Sequence, residues 1–298
     1  MAGAVRFRLG QSKASKYQMM MQANSFRIAL CAMCMLGFLT MLWVGGNRSE
    51  AQEPLKKLPL DGQSFDLAGS IAFLIPTTSQ YTGPDGQNAR PWVWYAPTLP
   101  SLPGPEERWM FERFLKAGIA IAGIDAGESY GSPNGNRVFD RLHAEMVRRG
   151  YSKKPVMLGR SRGGLQTLSW AADHPLELAA WAGIYPVCNL ASYPGLERAA
   201  SAFELSPTKL QERLKEFNPI DRMAKLAGAK VPLFSIHGDV DTVVPLELNT
   251  GKLNEAYALA GGPAMELIVP PGQGHNMWEG FFQCQELVDF VIRNAGRK

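Results

Sequence analysis

Three short segments of this 298-residue chain hold the residue types of nucleophilic acyl chemistry. GRSRGG (159–164) sets Ser161 among glycines, HGDVDTVVP (237–245) offers Asp239 and Asp241, and PPGQGHNMW (270–278) offers His275. A serine hydroxyl attacks a carbonyl only when an imidazole removes its proton, and that imidazole needs a carboxylate to fix its tautomer. The backbone amide of Arg162, the residue after the serine, is placed to donate to a developing oxyanion. With 30 glycines in the chain, a G-x-S-x-G match alone says little, so the elements around it must decide.

Those elements alternate. SIAFLIP (Ser70–Pro76) and ARPWVWYAP (Ala89–Pro97) read as strands, PEERWMFERFLKAG (Pro105–Gly118) as a helix, and IAIAGID (Ile119–Asp125) as a buried parallel strand. The helical VFDRLHAEMVRRG follows a Gly/Ser/Pro/Asn loop. Strand PVMLG then runs into GRSRGG, and RGGLQTLSWAADHP is helical up to Pro175. LAAWAGIYPV (Leu178–Val187), VPLFSIHG (Val231–Gly238) and AMELIVP (Ala264–Pro270) are three further strands. LELNTGKLNEAYALAGG is a helix between the last two, and an amphipathic helix from about Trp278 to Asn294 ends the chain. Strands alternating with helices give an α/β fold with a mostly parallel sheet and helices on both faces. In such a sheet ligands bind beyond the carboxyl ends of the strands, where Ser161, Asp239, Asp241 and His275 all fall.

Residues 188–230 break the alternation and hold SPTKLQERLKEF, a helix with Ser206 as N-cap and Pro207 at its first position. This insertion reads as a small helical cap over the site; an extra surface helix is the plainer reading. The alternating part spans residues 55–298. Residues 1–52 read as a leader: Arg27, the apolar run Ile28–Val44, then GGNRSEAQ, with cleavage expected near Ala51. A secretory signal predicts a secreted or periplasmic protein; an uncleaved run would anchor an exported protein in the membrane. Cys31 and Cys34 leave with the leader, so Cys188 and Cys284 either pair or stay as buried thiols.

The leader carries six of the 31 Lys and Arg and one of the 27 acids, which leaves 25 basic against 26 acidic residues elsewhere. A nucleic-acid-binding surface is therefore not expected. With the leader's CAMC (Cys31 to Cys34) removed, no C-x-x-C or His-rich spacing remains to point to a metal, and the chemistry needs no cofactor.

The three motifs together resemble an α/β-hydrolase from about residue 60 to the end. H-G-x-x-D-x-x-V-P (His237–Pro245) is similar to the acid-bearing stretch of the prolyl oligopeptidase-like and dienelactone hydrolase-like branch. That resemblance places the acid on Asp241, not Asp239. It implies a serine hydrolase acting on a small-molecule ester, with Ser161 as nucleophile and His275 as base. An amidase or small peptidase is the alternative, and a binding protein with an idle triad is another. The stretch before the catalytic domain is too short for the propeller of the oligopeptidases, and Ser161 stands where the dienelactone hydrolases carry cysteine. No HGGG loop is present. The matching turn is WYAPTL, where Pro97 has no amide hydrogen, leaving Thr98, Ala96 or the Tyr95 hydroxyl as the second oxyanion donor.

Tyr95 and Trp278 are the candidate substrate-binding residues, Trp278 as a pocket wall close behind His275. His143 and His174 read as structural, and His237 as a support for the acid loop. Arg160 either grips an anionic or sugar group of the substrate or pairs with an acid such as Glu128.

Overall fold

The computed structural model describes residues 55–81 and 90–296. The expected leader, with Cys31, Cys34 and the cleavage expected near Ala51, lies outside the described residues. No helix among those described is long and apolar enough to cross a membrane.

Eight strands form one sheet: β1 (Gln63–Leu67), β2 (Ser70–Ile75), β3 (Trp92–Ala96), β4 (Ala120–Ile124), β5 (Val156–Arg160), β6 (Ala180–Ile184), β7 (Leu233–Ile236) and β8 (Glu266–Ile268). Their order is β1-β2-β4-β3-β5-β6-β7-β8. β1 and β2 run antiparallel to their neighbours, and the rest are parallel. The five strands β3–β7 are buried at every position, as strands covered on both faces must be. β1 is a partly exposed edge strand that the sequence reading missed, because QSFDL carries no apolar run.

The period of two along each strand splits the core. Val93 and Tyr95 face one layer with α1 (Arg108–Lys116) and the C-terminal helices, through Phe111, Phe114, Leu287 and Val291. Trp92, Trp94 and Ala96 face the other, with α2 (Pro133–Arg148) and α3 (Gly163–Asp173), through Phe139, Leu142, Leu168 and Trp170. The last helix, expected as one piece, is two: α9 (Glu279–Phe282) and α10 (Gln285–Asn294). Cys284 separates them as the N-cap of α10, its Sγ accepting from the Leu287 amide. Cys188 and Cys284 are both free and buried.

Between β6 and β7 come α4 (Leu196–Ala199), α5 (Pro207–Glu212), α6 (Leu214–Phe217) and α7 (Met223–Gly228); α8 (Lys252–Leu259) follows β7. Leu190, Ala199, Ala200, Phe203 and Leu210 make a separate apolar cluster with Leu165 of α3 and Val244. Met223, Leu226 and Ala227 of α7 instead join the layer on the sheet. The boundary 188–230 therefore takes in one helix that belongs to the sheet layer.

Candidate active site

β5 ends at Arg160 and α3 begins at Gly163, so Ser161 occupies the turn between a strand and a helix. Its φ of 50° is left-handed, a conformation a non-glycine residue adopts only when its surroundings enforce it. Here they do: the Ser161 amide donates to the Ile184 carbonyl of β6, and its carbonyl accepts from Gly164 and Val187. Gly163 is required by contact, since a Cβ there would collide with the Ala96 carbonyl at the end of β3. This tight turn leaves the Ser161 side chain partly exposed while the glycines behind it are buried. The Arg162 amide sits at the start of α3, where amides lack intrahelical acceptors.

Ser161 Oγ lies 2.9 Å from Nε2 of His275, and Nδ1 of His275 lies 2.8 Å from Oδ2 of Asp241. The two bonds share one imidazole, so a proton on Nδ1 directed at Asp241 leaves Nε2 free to accept from the serine. Oδ1 of Asp241 accepts from the amides of Val243 and Val244, at 2.9 and 2.8 Å. Burial alone would raise the pKa of Asp241. Hydrogen bonds from His237, His275 and the Val244 amide outweigh burial and hold this carboxyl well below the usual range, so it stays ionised.

Asp239 is not part of this relay. Its Oδ1 accepts from the Gly272 amide at 2.6 Å, bracing the loop that carries His275 from the exposed side. His237 is fully buried: Nδ1 meets Thr250 Oγ1 at 2.7 Å and Nε2 meets the Val244 carbonyl at 2.8 Å, so it ties the acid loop together. His174 stacks on Trp170 and His143 on Trp94, and the two bond to Glu177 and the Lys153 carbonyl respectively, in structural roles.

Two expectations are corrected. Tyr95 is neither an oxyanion donor nor a pocket wall: it is wholly buried, and its hydroxyl donates to Glu107 Oε1 at 2.6 Å. Burial, reinforced by the Glu107 carboxylate, pushes that hydroxyl well above its ordinary pKa. Arg160 does pair with an acid, as one of its two readings had it, but the acid is Glu107, at 2.6 Å; Glu128 pairs with Arg162 instead. The partner was missed because Glu107 lies 53 residues upstream, in the 3-10 turn Pro105–Glu107 that leads into α1. Glu107 is wholly buried and also accepts from the Gly104 amide at 2.8 Å. A glutamate at the start of an amphipathic helix was the available signal, but sequence offers no reason to bury it.

Tyr185 was also overlooked. It follows β6 with φ 34°, its ring centroid is 4.4 Å from that of His275, and its hydroxyl accepts from Arg160 Nε at 3.1 Å. Trp278 is partly exposed, with its ring edge-on to Phe281. Val240 and Val243 on the acid loop and Met277 beside Trp278 are exposed as well. A cleft of about 280 Å³ opens next to Met277, between Trp109 of α1 and Phe282 of α9.

The sheet order, the strand-to-helix turn and the rim that bears it define an α/β-hydrolase fold. Prolyl oligopeptidase family sequences match residues 142–295, just over half of the chain, and the protein belongs to that family. Among solved structures it is similar to a puromycin-hydrolysing peptidase of Mycobacterium tuberculosis, at 18% identity and TM-score 0.60 over 80% of this chain and 40% of that one. Est1E from Butyrivibrio proteoclasticus is similar at 17% identity and TM-score 0.58, over 79% of this chain and 99% of that one. Dipeptidyl peptidase 4 of Porphyromonas gingivalis is similar at 16% identity and TM-score 0.60, over 78% and 35% respectively. The chain thus spans well under half the length of the two peptidases. No curated protein matches the sequence.

Proposed function

We propose that this protein is a serine hydrolase that cleaves carboxylic esters of small molecules through an acyl-enzyme. The observation that carries the reading is the Ser161–His275–Asp241 relay, with both bonds formed at 2.9 and 2.8 Å. His275 Nε2 takes the Ser161 proton as Oγ attacks the acyl carbon. The Arg162 amide donates to the oxyanion, and His275 then protonates the departing alkoxide. Water, deprotonated by the same imidazole, releases the acid and regenerates Ser161. Asp241 holds His275 in the productive tautomer throughout. Exposed Val240, Val243, Met277 and Trp278, on the loops that bear the acid and the base, supply apolar surface for an uncharged acyl chain.

Hydrolysis of amide or peptide bonds is the second reading. Family membership favours it, as do the two peptidases of similar fold. An amine is the poorer leaving group and asks more of His275 as an acid, which is why the ester is placed first. Export is proposed on the leader sequence alone, with the mature protein released or held at the membrane.

A panel of acetyl, butyryl and octanoyl esters against the matching amides tests the assignment. The ester reading expects kcat/KM for esters to exceed that for amides at every chain length. Amide turnover equal to or above ester turnover would replace it with the peptidase reading.

A further inference from the structure

Arg160 and Glu107 form a buried ion pair next to the catalytic turn, where the hydrolytic scheme above gives them no role. Glu107 is fully buried and Arg160 nearly so. Taking both charges out of water is costly, and a well-packed apolar pair would serve stability as well. What the pair holds is therefore informative.

Arg160 spends its donors in three directions: Nη1 on Glu107, Nε on the Tyr185 hydroxyl, and Nη2 on the Met277 sulfur at 3.0 Å. Its guanidinium also lies over the Phe282 ring, 4.9 Å from the centroid. Tyr185 packs on the His275 ring, backed by Phe281 edge-on at 4.9 Å, and Met277 belongs to the loop that carries His275, two residues beyond it. Glu107 in turn is fixed by Tyr95 and Gly104. One planar fork thus grips both the platform under the general base and the loop that carries it, a geometry lysine could not reproduce.

We propose that Arg160, locked by Glu107, is a positioning residue for His275 that acts through Tyr185 and Met277. The proposal rests on the hydrolase reading for its kinetic consequence. Its structural content, that this network sets the geometry of the His275 ring, can be read without turnover. An imidazole swinging loose on its loop loses the alignment to Ser161 and Asp241 at once, and a displacement near 1 Å can lower a rate about 100-fold.

The test uses the full chain with Tyr185→Leu, Tyr185→Phe and the double variant Arg160→Met/Glu107→Gln, which removes both buried charges and so avoids stranding one. Two quantities are read: kcat and KM per titrated active site, and the downfield proton resonance of His275 Nδ1, assigned by its loss in His275→Ala. Tyr185→Leu is expected to lower kcat about 100-fold and the double variant about 10-fold, with KM within about twofold, on the same displacement argument. Tyr185→Phe, which keeps the ring but cuts the bond from Arg160, is expected to fall with the double variant, about 10-fold. The Nδ1 resonance broadens in the order of the kcat losses. An unchanged resonance and kcat, with only a lower Tm, would reduce the pair to a structural role and overturn the proposal. An inert wild type whose resonance is still lost in the variants would remove the hydrolase reading and leave the positioning intact.

Discussion

The site presents the same contrast twice. Arg160 and Arg162 flank Ser161, and Asp239 and Asp241 share one loop; each pair is one residue type two positions apart. In each pair one member is buried with several partners and the other makes an exposed contact. Arg160 joins Glu107, Tyr185 and Met277, whereas the Arg162 side chain pairs with Glu128, itself exposed. Asp241 is enclosed by two amides, His275 and His237, whereas Asp239 holds the Gly272 amide at the surface. Residue type at a motif position therefore does not assign a role; burial and the number of bonds do.

Breaking the aspartate pair gives the largest difference. Asp241→Asn removes the carboxylate that fixes the His275 tautomer, and kcat is expected to fall about 10⁴-fold. Asp239→Asn is expected to change kcat only a few-fold, because it loosens the loop without touching the imidazole. Steady-state kinetics on both variants decides it, and a reversed order would mean that the acid loop has been assigned wrongly.

The arginine pair is next. Arg160→Met strands the Glu107 carboxylate in the core and is expected to cost about 3–5 kcal/mol in urea unfolding. Arg162→Met breaks a partly exposed bridge and is expected to cost less than about 1 kcal/mol. Equal losses would show that the burial contrast has no energetic weight.

The smallest effect is in acid. Asp241 titrates lower when folded than its unfolded value of about 3.9, so its stabilising contribution is present above that pH and is lost as pH falls through the folded value. Unfolding at pH 7 and pH 3 should show wild type losing more stability between the two than Asp241→Asn. A larger loss in the variant would contradict the direction of the shift.

These contrasts also mark how far the sequence was legible. Ser161, Asp241 and His275 were readable because each sits in a short motif just past a strand, and strands announce themselves by apolar runs. Asp241 was separable from Asp239 only through the resemblance in HGDVDTVVP. The network around Arg160 was not readable, since its partners come from positions 107, 185 and 277, and only the folded sheet brings them together. Tyr95 was misread for a related reason: beside a catalytic turn, a tyrosine looks like a donor, but the strand period turns it inward to Glu107. The split of the last helix turned on Cys284 acting as a cap, a role sequence rarely assigns to cysteine.

The central claim, that Ser161 is the nucleophile activated by His275, is tested most directly by labelling the folded protein with a fluorophosphonate and locating the adduct by peptide mass spectrometry. The account predicts a single adduct on Ser161, absent in Ser161→Ala and strongly slowed in His275→Ala. A folded wild type that takes up no probe, or takes it up on another residue, would contradict it.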